Sequence, residues 1–92
     1  MSEVGFTFQL IGKVQGVGMR FYVSRLAKRH ALKGYVKNQR DGSVLGDVIG
    51  DETEIENFFV SLERDSPGKI TEIKKTTLSA FPSYKGFRVK FF

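Results

Sequence analysis

The stretch Phe6-Thr7-Phe8-Gln9-Leu10-Ile11-Gly12-Lys13-Val14-Gln15-Gly16-Val17-Gly18-Met19-Arg20-Phe21-Tyr22-Val23-Ser24-Arg25-Leu26-Ala27 changes its hydrophobic period partway along. Phe6, Phe8 and Leu10 alternate with Thr7 and Gln9, the period of two that marks a strand with one buried face. Gly12 and the Gly16–Gly18 segment are expected to break that strand. Beyond them Met19, Tyr22, Val23, Leu26 and Ala27 recur at the spacing of an amphipathic helix. Arg25, Lys28 and Arg29 take its other side, and basic residues in a last turn suit the negative end of the helix dipole. A strand, a glycine-rich turn and a helix are therefore expected in succession.

Working outward, Leu32 to Lys37 reads as a second strand, and Asp41-Gly42 as a hairpin turn because glycine accepts the positive φ such turns need. Val44 to Ile49 returns as a third strand. Asp51 is placed to cap a second helix, with Glu54 three residues on completing a capping-box pattern. Ile55, Phe58, Phe59 and Leu62 form that helix's buried stripe, and Ser66-Pro67-Gly68 ends it. Ile70 to Leu78 reads as a fourth strand. Phe87, Val89 and Phe91 alternate with Arg88 and Lys90 in a short last one. The order strand–helix–strand–strand–helix–strand is that of an α+β, ferredoxin-like βαββαβ sandwich. Two helices would cover one face of a mainly antiparallel sheet, with an extra C-terminal strand. Such a fold hosts many activities and names none of them.

The chain of 92 residues fits one domain, expected to span 1–92. A chain of this size buries roughly 60–65% of its unfolded surface, so any site should be shallow and built at an edge. Nine Phe help so small a core. With no Cys and a single His, thiolate chemistry, disulfides and Cys/His metal clusters are excluded. His30, near the end of the first helix, reads as a C-terminal cap. Met1-Ser2-Glu3-Val4-Gly5 does not read as a signal peptide. No apolar run approaches the ~20 residues that span a bilayer. A cytoplasmic, monomeric protein without a membrane partner is expected.

Net charge is +5 and unevenly spread. Residues 1–40 carry eight Lys/Arg against one acid, residues 41–66 one against eight, and residues 67–92 six against one. The first basic excess lies beside the glycine-rich loop, where it favours an anionic ligand; a mixed, solvated surface is the plainer reading.

The loop itself carries the chemistry. The first N–H groups of a helix lack internal partners and stand at the positive end of its dipole, so a phosphate can accept several backbone hydrogen bonds there. Gly16 and Gly18 remove side chains that would block its approach. Arg20 adds a planar guanidinium matched to two phosphate oxygens. A tight turn with a surface Arg is the structural alternative. The Gly-Lys-Ser/Thr ending of a nucleotide P-loop is absent, as is the Gly-x-Gly-x-x-Gly of a dinucleotide fold. Asn38, just before Asp41-Gly42, has on these grounds the ordinary reading of a turn residue.

The run Gly12-Lys13-Val14-Gln15-Gly16-Val17-Gly18-Met19-Arg20 resembles the signature of the acylphosphatase family. A second block follows at the family's spacing: Gly34-Tyr35-Val36-Lys37-Asn38, then Asp41-Gly42-Ser43-Val44. Ser66-Pro67-Gly68-Lys69-Ile70 and Lys85-Gly86-Phe87-Arg88-Val89 extend the likeness over nearly the whole chain. Met19 stands where the family usually has Phe, and Leu45 and Asp47 also depart from its pattern. The resemblance implies a ferredoxin-like fold and hydrolysis of an acyl phosphate to a carboxylate and inorganic phosphate, with no cofactor, metal or phosphoenzyme. It implies Arg20 and Asn38 as the catalytic pair. The amides of Gln15, Gly16, Val17, Gly18, Met19 and Arg20 would bind the phosphate. Inorganic phosphate would be product and competitive ligand.

Two rival functions compete. Lys85 to Phe92 faintly echoes the RNP1 pattern of RNA-binding domains, but Arg88 and Val89 break it and it falls on the last strand, so no nucleic-acid partner is expected. Acylphosphatase-like domains also open larger proteins that handle carbamoyl phosphate, which a chain this short does not suggest. Of the remaining polar residues, Ser24 reads as solvated and Tyr35 as core.

Overall fold

In a computed structural model, described over residues 2–91, strand β1 (Glu3–Lys13) leads through the glycine-rich loop into helix α1 (Met19–Arg29). Strands β2 (Lys33–Asn38) and β3 (Val44–Asp51), helix α2 (Glu52–Asp65), and strands β4 (Lys69–Thr77) and β5 (Phe87–Lys90) follow. The sheet order is β4-β1-β3-β2-β5, and every neighbouring pair is antiparallel except β2 and β5. The expected sandwich with an added C-terminal strand is thus present. Met1 and Phe92, the ends of the N-terminal and RNP1-like readings, lie outside the described residues.

Side chains that alternate along a strand face opposite sides of its sheet. Phe8 and Leu10 of β1, Val36 of β2 and Val44 and Val48 of β3 all point to the helix side and are fully buried. There they meet Met19, Val23, Leu26 and Ala27 from α1 and Ile55, Phe58, Phe59 and Leu62 from α2. Four of the nine Phe form one cluster: the Phe8 ring lies 5.9 Å from Phe58 and 5.8 Å from Phe59, and Phe6 lies 6.1 Å from Phe59, all edge to face. Each such pair contributes about 0.5–1.5 kcal/mol beyond its buried area.

Gly12 does not end β1 as its sequence context suggested. The strand continues to Lys13 because the register shifts between Ile11 and Gly12, and Gly12 takes φ 132° where a side chain would strike the Lys69 carbonyl. The bulge keeps β1 paired with β4 up to the edge of the loop. At α2 the cap is as the sequence proposed: the Asp51 carboxylate accepts from the Thr53 and Glu54 amides.

Two side chains differ from their sequence reading. Ser24 is buried, because the packed stripe of α1 is wide enough to include it. Tyr35 is not core: it is half-buried on the sheet face opposite the helices, with its ring 6.0 Å from Tyr84 and the Lys90 ammonium 4.1 Å above it. Alternation puts it there, since Val36 takes the core side. His30 does occupy the C-cap position of α1, and its ring also meets Glu54 at 2.7 Å, tying the end of α1 to the first turn of α2.

Candidate active site

The loop leaves β1 at Val14, which is buried, and turns into α1 through Gly16 at φ 74° and Gly18 at φ 82°. Both angles fall in the left-handed region that only glycine enters without strain. Gly18 is the N-cap of α1 and supplies no side-chain cap. The first intrahelical backbone bond runs from the Tyr22 amide to the Gly18 carbonyl at 3.0 Å. The Met19 and Arg20 amides before it therefore have no helical acceptor. No acidic residue stands in the first turn of α1, whereas α2 has Asp51, Glu52 and Glu54 at its start. The positive end of α2 is thus neutralised within the protein and that of α1 is left open.

A cleft of about 240 Å³ opens at this point, lined by Val14, Gly16, Gly18, Met19, Arg20, Phe21 and Asn38. Arg20 and Asn38 therefore share one cavity with the start of α1. Asn38 is the last residue of β2 rather than part of the turn. It pairs with Val44 and falls on the helix-facing side, two residues from buried Val36. Among the described residues its carboxamide has no hydrogen-bond partner and is free for a ligand.

The Arg20 guanidinium is held from one side. Its Nη1 donates to the Lys90 carbonyl at 3.0 Å, and its carbon lies 4.8 Å from the centre of the Phe91 ring. A guanidinium carries five N–H donors in a fixed fork, so Nε and Nη2 have no partner among the described residues. Among the described residues, Arg64 pairs with Asp65 and the His30 ring meets Glu54, and no ion pair involves Arg20. Among the described residues no carboxylate consumes its charge.

Gln15 and Val17 do not wall the cleft. Val17 leans on Gly68. Gln15 reaches across to the β2–β3 hairpin, where its Nε2 donates to the carbonyls of Gln39 at 2.6 Å and Ser43 at 2.9 Å. The hairpin is braced again within itself. Asp41 Oδ1 accepts from the Ser43 amide and hydroxyl, at 2.9 and 2.6 Å, and Gln9 Nε2 donates to Ser43 Oγ at 2.9 Å. Those bonds from Ser43 hold the Asp41 carboxyl below its ordinary pKa. The loop bearing the open amides and the strand end bearing Asn38 are thus fastened together by Gln15. The sequence reading used only the Gln15 amide, and a lone Gln in a glycine-rich loop gives no local sign of such a span.

On the opposite sheet face Asp47 is buried and accepts from Thr7 Oγ1 and Tyr84 Oη, each at 2.7 Å. Both hydroxyls satisfy a carboxylate that would otherwise be costly to bury. Tyr84 belongs to the segment 78–86, which links β4 and β5 at opposite edges of the sheet, so Asp47 anchors that crossing. Burial, then the bond to Asp47, pushes the Tyr84 phenol far above its ordinary pKa.

A roomier hollow of about 390 Å³ lies between α2 and the β1–β4 side, lined by Val4, Phe6 and Val60 with Glu52, Glu56 and Glu63 against the single ammonium of Lys75. Apolar groups rimmed by carboxylates do not suit an anion. Among the described residues no group of three or more His, Asp or Glu is gathered as metal ligands, and no helix is long and apolar enough to cross a membrane.

The acylphosphatase family profile matches residues 6–89. An acylphosphatase from Bacillus pumilus is 35% identical over 82 residues, covering 88% of this chain and 91% of the relative. The crystal structure of acylphosphatase from Bacillus subtilis superposes with a TM-score of 0.90 at 31% identity, over 95% of this chain and 98% of that one. The crystal structure of HypF from T. kodakarensis contains the same arrangement, with a TM-score of 0.86 at 32% identity over 99% of this chain but only 12% of that much longer one.

Proposed function

The chain belongs to the acylphosphatase family, and from that membership we propose that it hydrolyses acyl phosphates by direct attack of water, with Arg20 and Asn38 as its catalytic residues. The phosphate sits against the amides of the loop from Gln15 to Arg20 and the free donors of the Arg20 guanidinium. Phosphoryl transfer passes through a loose transition state whose charge is spread over the equatorial oxygens. Donors already in place therefore do most of the work. Asn38 hydrogen-bonds the attacking water and aims it at phosphorus, opposite the leaving oxygen. The new bond forms between the water oxygen and phosphorus. The phosphorus–carboxyl oxygen bond breaks with its electron pair going to the carboxylate, and the water proton passes to a phosphate oxygen. An amide is a poor base, but a carboxylate leaves readily and little deprotonation is needed early. Neither a metal nor a phosphoenzyme takes part, and inorganic phosphate competes as product.

The observation that carries this reading is that one cleft contains Arg20, Asn38 and an uncompensated helix start. The test is hydrolysis of benzoyl phosphate in the presence of a chelator. The wild-type protein should turn over undiminished, and Arg20→Ala should lose at least roughly 10²–10³ in rate, the typical cost of one preorganised oxyanion donor. Carbamoyl phosphate run alongside separates a general acyl phosphate hydrolase from a domain serving carbamoyl chemistry. Turnover abolished by the chelator, or an unaffected Arg20→Ala, refutes the mechanism.

A further inference from the structure

Five large apolar side chains are notably exposed among the described residues: Val17, Phe21, Val60, Phe81 and Phe91. Single exposed apolar residues are ordinary, but Phe21 lines the cleft while remaining 66% exposed, and Phe91 lies against the Arg20 guanidinium beside it. Phe21 is not there for the core, which α1 reaches through Met19, Val23, Leu26 and Ala27.

We propose that Phe21 is the platform for the acyl group, and that this site prefers acyl phosphates whose acyl part is apolar and broad, aryl above all, over small ones such as acetyl phosphate. This rests on the proposed hydrolytic function and names its substrate class. A phosphate seated on the loop amides must project its acyl substituent out of the cleft. In-line attack puts the leaving oxygen on the far side of phosphorus from the water that Asn38 directs. Phe21 rises from the first turn of α1 and is the one aromatic side chain in the cleft lining, so its ring is the apolar surface that an emerging acyl group meets. An offset or edge-to-face contact there withdraws apolar surface from water.

The experiment compares kcat and KM for benzoyl phosphate and acetyl phosphate in wild type, Phe21→Ala and Phe21→Leu, together with inhibition by inorganic phosphate. Wild type is expected to favour benzoyl phosphate in kcat/KM. Phe21→Ala should lower that preference by roughly tenfold, a loss the size of one good aromatic contact, mainly by raising KM for benzoyl phosphate. Its acetyl phosphate kinetics and phosphate inhibition should stay within about twofold of wild type, and Phe21→Leu should fall between. Equal loss on both substrates, weakened phosphate inhibition, an unchanged preference, or a wild type favouring acetyl phosphate overturns the subsite while leaving the hydrolytic function standing. A wild type that hydrolyses neither substrate overturns the function itself.

Discussion

The Gln15 carboxamide donates to the Ser43 carbonyl at 2.9 Å, joining residues that stand 28 apart in the chain. This bond and its neighbour to Gln39 set the distance between the loop that offers amides and the strand end that presents Asn38.

Gln15→Leu removes both bonds while keeping much of the side chain's bulk. A hydrogen bond contributes about 0.5–1.5 kcal/mol net, so a melting curve should show a modest loss of stability. Turnover should fall further, by about tenfold to a hundredfold, because small displacements of catalytic groups are costly. A variant that melts earlier but turns over at the wild-type rate would show that the tie serves folding alone.

Arg20 and Asn38 should fail differently. Arg20→Ala should weaken inorganic phosphate binding and nearly abolish turnover, because the proposed mechanism has the guanidinium hold the anion before and during reaction. Asn38→Ala should lower turnover while phosphate affinity stays near wild type. Calorimetric titration with phosphate checks this, and equal loss of binding in both variants would mean the roles are wrongly divided.

Asp47→Ala should destabilise the protein by about 1–3 kcal/mol, since it strands the Thr7 and Tyr84 hydroxyls and loosens the 78–86 crossing. Asp47→Asn keeps an acceptor and should cost less. Urea unfolding measures both, and because Asp47 faces away from the cleft, kcat should change little in either.

Alkaline pH should unfold this protein through its tyrosines. Burial raises the phenol pKa of Tyr22, Tyr35 and Tyr84 above the ordinary value of 10.0, and Asp47 reinforces the shift at the latter two. The folded state then binds these protons more tightly than the unfolded one. That contribution is complete below pH 10 and is lost as pH rises through the folded values. Stability should therefore fall above pH 10, and Tyr84→Phe should flatten the fall. A Tyr84→Phe curve as steep as wild type's would assign the loss to other groups.

The sequence by itself determined the seven elements, the α2 cap, most of the core, and the glycine-rich turn into α1, because each is written in local patterns. Periods of two and 3.6, a carboxylate before a helix, and glycines at positive φ act over a few residues. Strand ends proved less legible: a bulge carried β1 past Gly12, where composition alone indicated a stop. Only the tertiary structure decided what reaches the site from afar. That Lys90 holds Arg20, that Gln15 spans to Ser43, that Asn38 shares a cleft with Arg20, and that Asp47 meets Thr7 and Tyr84 all depend on strand order and register. These are set by the packing of the whole sheet, and no short window of sequence contains both partners of any of those contacts.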